Sequence, residues 1–303
     1  MLSAAALALL LSSAAAPPAP IRIEALERET PNGPVRAWIA RVDLTDPRVS
    51  FVVTGPLERR PDDPPKAEAR LVPTDAWAET AGVDLAVNGG FFDRLDAAPG
   101  LLPGWTEGLP VDILGLARSE GRTISPPGRF QGAPPDPALL IDEMAGGRCP
   151  CAVRAAYADE RDLDGIEDVV AGMGPRGGKP GTLLVETGQD RGATARVDPM
   201  VHHPRTAAGV SRDGKTLLLM VVDGRRDGWS VGVTLPALAR MMLDAGAWNA
   251  VNLDGGGSSA LWYRAPGEAG GRVLNRPSDG RVRPVATHLG VRVHAGAPPR
   301  SPR

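Results

Sequence analysis

The 303-residue chain contains only two cysteines, Cys149 and Cys151, with one residue between them. A disulfide across that gap would close a very small ring and staple nothing distant, so no cross-link framework holds this fold. No Cys-x-x-Cys pair occurs, which removes the commonest structural-zinc and dithiol signatures. An excess of positive charge is also lacking. The 34 Lys and Arg residues face 36 Asp and Glu, for a formal net charge of -2, which argues against a nucleic-acid surface or a polybasic membrane patch.

The apolar N-terminal stretch Leu2–Leu11 is too short to span a bilayer. It runs into the small residues Ser12–Ala16 and lacks a basic leading region, and it reads as a signal peptide cut near Ala14, because Pro17 disfavours cleavage after Ala16. The expected organisation is a signal peptide over residues 1–16, a spacer over 17–35, one domain over 36–294 and a tail over 295–303. The protein is thus expected to be exported, periplasmic or extracellular, without stable membrane insertion.

Nucleotide-binding fingerprints are absent as well. The glycine-rich run Asn252-Leu253-Asp254-Gly255-Gly256-Gly257-Ser258-Ser259 has neither a Gly-Lys-Ser/Thr ending nor G-x-G-x-x-G spacing ahead of a helix. A carboxylate followed by three glycines and two hydroxyls is poor core material. It suits a site, since glycine backbone permits close approach and exposes N–H donors.

Periodicity places this run after a helix and a strand. Leu235, Leu238, Met242 and Ala245 share one helical face within Thr234–Ala245, Gly246 stops that helix, and Ala250-Val251 begins a strand. Earlier, Thr74–Ala81 reads as a helix capped by Thr74 and stopped by Gly82, followed by the strand Val83–Val87 and Asn88-Gly89-Gly90-Phe91-Phe92-Asp93. Two helix–strand units therefore each deliver an asparagine into a glycine turn. If the two strands lie side by side, Asn88 and Asp254 face a common cleft.

Further strands are expected over Arg36–Val42, Val49–Val53, Ile113–Ala117, Leu139–Ile141, Val169–Ala171, Leu183–Val185, Thr206–Ser211, Thr216–Val222 and Val285–His294, with a hairpin turn at Arg212–Lys215. Arg94–Leu109 reads as a long loop. The fold class expected is α+β: one domain with a mixed, mainly antiparallel sheet flanked by a few helices.

Four polar, glycine-adjacent segments sit at strand ends: Asn88–Asp93, His202–Thr206, Asp223-Gly224-Arg225 and Asn252–Ser259. Together they offer carboxylates, guanidinium groups, imidazoles and backbone donors, an inventory suited to an anionic, hydroxyl-rich ligand. Each has a structural counterpart reading. Asp254 could cap its turn, Arg205 could be an ion-pair partner, Asn88 a buried turn residue, Asp223-Gly224 a hairpin corner, and Phe91 and Phe92 core. The adjacent His202 and His203 would point to opposite faces of a strand, so at most one would reach the site. Trp105 and Trp229 are the loop tryptophans available for stacking on a sugar.

In these segments the sequence resembles the phosphodiester glycosidases. The matching stretches are Val87–Phe92, His203–Ala207, Val222–Arg225, Gly232–Ser259, Asn275–Gly280 and Arg283–Ala286, in order, within a span of roughly Arg36–Val293. The resemblance implies hydrolysis of the bond between a sugar's anomeric carbon and a phosphate. It implies Asp254 as nucleophile, base or electrostatic stabiliser beside the developing oxocarbenium ion, and Arg205 as the cation on the phosphate with Arg225 as helper. Asn88 and Asp223 would orient hydroxyls or phosphate. Gly89, Gly90, Thr206, Gly255, Gly256, Ser258 and Ser259 would line the substrate site.

The expected partner is a glycosyl-phosphodiester, as a small molecule or a glycopolymer of envelope or exopolysaccharide metabolism, and not nucleic acid. No cofactor is expected to be required, a structural Ca²⁺ or Mg²⁺ would be compatible, and the metal ligands are left unassigned. Two other readings stay open at this point: a metal-dependent phosphodiesterase using Asp223, Asp254 and His203, and a non-catalytic binder of phosphorylated glycans.

Overall fold

A computed structural model of the chain describes residues 18–95, 104–127, 136–142, 152–158, 161, 163–172, 182–194 and 198–296. The expected signal peptide, most of the expected tail, part of the Arg94–Leu109 loop, and Cys149 with Cys151 lie outside the described residues.

Three antiparallel sheets carry the architecture. A seven-stranded sheet runs in the order Ile21–Thr30, Gly33–Asp43, Thr216–Val222, Arg205–Ser211, Ala247–Asn252, Val185–Glu186, Gln189–Asp190. One five-stranded sheet orders Arg272–Val273, Leu261–Tyr263, Leu85–Asn88, His288–Val293 and Val49–Val53, and another contains Ala117–Ser119, Asp168–Ala171 and Asp136–Asp142 at its centre. Small sheets of two and three strands complete it.

The apolar patterning explains these layers. In Thr216–Val222, Leu217, Leu219 and Val221 point into a core shared with the two five-stranded sheets, while Leu218, Met220 and Val222 point to the other side. A strand buried on both faces reads as a continuous apolar run rather than an alternating one. The second side is covered by helix Leu235–Asp244 through Leu235, Leu238, Ala239 and Met242. Thr234 caps this helix by accepting the Ala237 N–H. Helix Thr74–Ala81 covers the outer face of the sheet containing Leu85–Asn88, packing Ala78 and Trp77 near Ala86 and Trp262.

Several expectations are corrected. The fold is mostly β: two α-helices occur among the described residues, and every described ladder is antiparallel rather than mixed. Each helix crosses between two parallel strands of its own sheet, but an antiparallel strand is inserted between them, Arg205–Ser211 in one case and His288–Val293 in the other, so the crossovers add no parallel ladder. Strands Leu85–Asn88 and Ala247–Asn252 accordingly do not lie side by side; they belong to different sheets. Thr74 is not a cap, because Pro73 occupies the N-cap position and the Thr74 hydroxyl is buried without a partner. Ile21–Thr30, read as part of a proline-led spacer, is an edge strand paired along its length with Gly33–Asp43. Ile113–Ala117 is split into two strands, Pro110–Leu114 and Ala117–Ser119, with Gly115 between them at φ +118°.

Candidate active site

The glycine run is stitched to both of its neighbours through its backbone. Leu253 N–H donates to Thr206 O at 2.9 Å, Asp254 N–H to Gly89 O at 3.1 Å, and Gly256 N–H to Pro204 O at 2.9 Å. The loop therefore bridges the exits of strands from two sheets. Asn88 lies beneath it, fully buried. Its Nδ2 donates to Asp254 O at 2.7 Å, and its Oδ1 accepts from Thr206 Oγ1 at 2.8 Å and Ala260 N–H at 3.2 Å. Asn88 and Asp254 do meet, through a side chain rather than through paired strands.

Each glycine has a physical reason. A Cβ on Gly255 would stand 2.8 Å from Pro204 O. Gly256 has φ +62°, and its Cβ would meet the Arg225 guanidinium at 3.1 Å. On Gly257 a Cβ would collide with the Arg283 guanidinium and the Asp279 carboxylate. Two of the three thus admit the protein's own arginines. Gly89 and Gly90 are packed against Thr287 and Ala171 O, and Gly90 N–H donates to Thr287 Oγ1 at 2.8 Å.

Arg225 and Arg283 are the charges acting on Asp254. The Asp254 carboxylate is half-buried and accepts Gly255 N–H at 2.7 Å. Burial pushes its pKa up to about 6, against the downward pull of the Ser258 hydroxyl, the Gly255 N–H, and the charges of Arg283 and Arg225. The Ser258 and Ser259 hydroxyl oxygens are buried without a well-aligned hydrogen-bond partner, as is Asn252 Oδ1. Arg283 is held by an Asp279 ion pair at 2.8 Å. Arg225, exposed and at φ +55°, leans on His203 Nδ1 at 3.1–3.3 Å. Burial and the charges of Arg225 and Arg205 lower the His203 pKa against the opposing charge of Asp198, which keeps the ring neutral as an acceptor for Arg225.

The remaining sequence candidates turn their side chains inward. Arg205 is buried, and its guanidinium donates to the backbone carbonyls of Val233, Asp198 and Val201 at 3.0–3.3 Å. Burial lowers its pKa to about 10, opposed by Asp198 and aided by Arg225. Asp223 is 1% exposed and accepts Trp229 Nε1–H at 2.8 Å, Asn275 Nδ2 at 3.1 Å and the Arg276 N–H at 2.9 Å. Its pKa is raised by burial, with those donors pulling the other way. Thr206 is spent on Asn88. The two histidines precede the strand that starts at Arg205 and have different partners: His202 faces Asn32 Nδ2 at 3.3 Å, and His203 faces Arg225. No group of three or more His, Cys, Asp or Glu gathers in metal-binding proximity among the described residues.

Trp229 cannot serve as a sugar platform, since Arg276 covers one neighbourhood of its ring at 3.6 Å and Arg36 lies over it at 4.0 Å. Trp105 packs edge-on to Phe92, with centroids 4.9 Å apart, and lies 5.9 Å from Arg283. Sequence reasoning gave no role to Arg283 or Asp279. The available signal was their four-residue spacing as opposite charges within matching family segments.

Comparison with known proteins accords with this geometry. The catalytic domain of zebrafish N-acetylglucosamine-1-phosphodiester alpha-N-acetylglucosaminidase, auto-inhibited by its pro-peptide, superposes with a TM-score of 0.59 at 22% identity, covering 91% of this chain and 83% of that one. A Burkholderia pseudomallei protein described as exported gives a TM-score of 0.55 at 20% identity, over 86% of this chain and 74% of that one. An uncharacterized SPbeta prophage-derived protein of Bacillus subtilis (strain 168), YomE, is 38% identical over 113 residues, which is 37% of this chain and only 16% of that protein. The family model of the phosphodiester glycosidases matches residues 81–292, a span holding both helices' following strands, the glycine loop and its arginines, and the chain belongs to that family.

Proposed function

We propose that this protein hydrolyses the anomeric carbon–oxygen bond of a sugar-1-phosphodiester. The observation that carries the reading is the half-buried Asp254 carboxylate at the head of a glycine loop against which the Arg225 and Arg283 guanidinium groups are packed. One negative group with two guanidinium groups matches a reaction in which positive charge grows on the sugar while negative charge leaves on phosphate. Arg225 and Arg283 hold the phosphate, and ionised Asp254 stabilises the oxocarbenium-like carbon and takes a proton from the attacking water. Water's oxygen ends on the anomeric carbon, and the phosphate monoester departs with the bonding electrons. Such a leaving group lessens the need for the second carboxylic acid that ordinary glycoside hydrolysis uses.

Asn88, Thr206, Arg205 and Asp223 act in this reading as positioning residues, because their hydrogen bonds are directed to the protein itself. Gly255 and Gly256 form the wall against the substrate, while the buried Ser258 and Ser259 lie behind it. Export is supported by the apolar N-terminal segment. No described helix is long and apolar enough to cross a membrane. An envelope or exopolysaccharide phosphodiester is the substrate class that fits such a location.

Hydrolysis of N-acetylglucosamine-1-phosphodiesters in ¹⁸O-water tests the reading. Label in the released sugar, abolished in Asp254→Asn, is the expected result. Label in the phosphate, with activity lost to a chelator, would replace it with a metal phosphodiesterase. Binding without turnover across a panel of sugars would replace it with a glycan-binding module.

A further inference from the structure

The arginines of this face differ in how they are engaged. Arg283 pairs with Asp279, Arg226 donates to Pro277 O at 2.8–3.2 Å, Arg281 donates to Trp105 O at 3.2 Å, and Arg36 pairs with Glu27. Arg276 is exposed, and its guanidinium has neither a carboxylate nor a hydrogen-bond partner among the described residues. It is nonetheless fixed in place. Its carbon centre lies 3.6 Å from the centroid of the Trp229 ring. The ring is pinned by its Nε1–H to Asp223, and the Arg276 backbone N–H is pinned to the same carboxylate. The preceding residue, Asn275, ties the segment to the glycine loop by donating to Ser259 O at 3.0 Å and accepting Leu261 N–H at 2.9 Å.

A guanidinium held against an aromatic face keeps its in-plane N–H donors free to meet a carboxylate or phosphate, and it loses less conformational freedom on doing so than a mobile side chain. Arg225 leaves the same anchor, two residues after Asp223, and its guanidinium lies against Gly256 beside Asp254. Asp223 thus anchors the Trp229 ring and the Arg276 backbone, while Arg225, two residues further along the chain, reaches Gly256, and Arg276 is left with its donors unspent.

We propose that Arg276, mounted on Trp229, is a second anion subsite that selects substrates carrying a further negative group on the aglycone side of the phosphodiester. This rests on the glycosidase reading only for the direction in which the substrate lies; the subsite itself is tested by binding.

The probes are the n-propyl and 2-carboxyethyl phosphodiesters of N-acetylglucosamine 1-phosphate, matched in length and differing in one charge. Calorimetry on Asp254→Asn protein, which holds the ligand unhydrolysed, is expected to give about tenfold tighter binding of the carboxyethyl ligand, an advantage that shrinks as salt is raised. In Asp254→Asn with Arg276→Gln the two affinities should converge, the loss falling on the carboxyethyl ligand. Trp229→Phe, which keeps a ring but removes the bond to Asp223, should reduce the advantage partly. A preference that survives Arg276→Gln, an equal weakening of both ligands, or no preference at all, including no measurable binding of either, overturns the subsite. The glycosidase reading fails separately: wild-type protein that shows the charge preference yet hydrolyses neither compound retains the subsite and loses the activity.

Discussion

At the scale of single residues, the chemistry turns on a carboxyl group whose proton affinity is set by two opposing effects. Burial raises Asp254 to about 6, while Ser258, Gly255 N–H, Arg283 and Arg225 restrain it. If the ionised form is the working one, kcat/KM should rise with pH along a limb centred near 6, and a pH–rate profile reads this directly. Asp254→Asn should lower kcat by about a thousandfold, the range expected when one strong electrostatic group is removed from a transition state. Arg283→Ala should move the same limb to higher pH while raising KM, because it removes both a cation near the phosphate and a charge that stabilises the carboxylate. A change in KM with an unmoved limb would place Arg283 away from Asp254 in function.

At the scale of elements, the glycine loop is a joint rather than an open cradle. Gly257→Ala leaves the polypeptide's charges unchanged but drives a methyl group into the Arg283–Asp279 pair. The expected outcome is at least a tenfold fall in kcat/KM with a thermal transition within a few degrees of wild type; unchanged kinetics would show that Arg283 is not needed where it stands. Asn88→Ala should behave oppositely. It strips partners from Thr206 Oγ1, Ala260 N–H and Asp254 O at a buried point joining two sheets, a loss on the order of 3 kcal/mol by denaturant unfolding. The loop and its carboxylate were legible in the sequence because Asp-Gly-Gly-Gly-Ser-Ser has no good use in a core. Arg283 was not, since its placement depends on a contact across the missing Gly257 side chain, and no periodicity encodes that. The inward turn of Arg205 and Asp223 was equally hidden: a strand-end charge looks the same in sequence whether it faces a ligand or backbone carbonyls.

At the scale of the whole molecule, the strands were readable where both faces are buried, as in Thr216–Val222, and poorly readable at edges such as Ile21–Thr30, where half the side chains are polar and proline precedes them. The division into three sheets was not readable, since apolar patterning fixes which residues are buried but not which strands pair. The sheets also couple the site to acid stability. His288 is fully buried between Leu85–Asn88 and Val49–Val53, stacked on Trp77 at 4.7 Å, with Nδ1 on Thr54 and Nε2 on Val72 O. Burial pushes its pKa down to about 3, only partly offset by the Val72 bond. The unfolded chain takes up that proton below about 6.5 and the folded chain does not, so His288 removes stability as pH falls from about 6.5 toward 3. Asp254 has the opposite sign: its folded pKa of about 6 lies above the 3.8 of the free group, so it adds stability as pH falls through 6 toward 4. Between those values the two contributions offset each other in the wild type. Asp254→Asn removes one side of the balance, and Asp168, also raised to about 6 by burial, is common to both proteins and cancels in the comparison. The variant should therefore be more stable than wild type at pH 7, by on the order of 1–2 kcal/mol after discounting for the carboxylate's partial exposure. That advantage should shrink by up to about 1.4 kcal/mol per pH unit between 6 and 4 and vanish near pH 4. Urea unfolding of both proteins at pH 4, 5, 6 and 7 measures the difference. A constant gap across that range would mean that Asp254 titrates as an ordinary carboxylate, and the electrostatic basis of the proposed site would go with it.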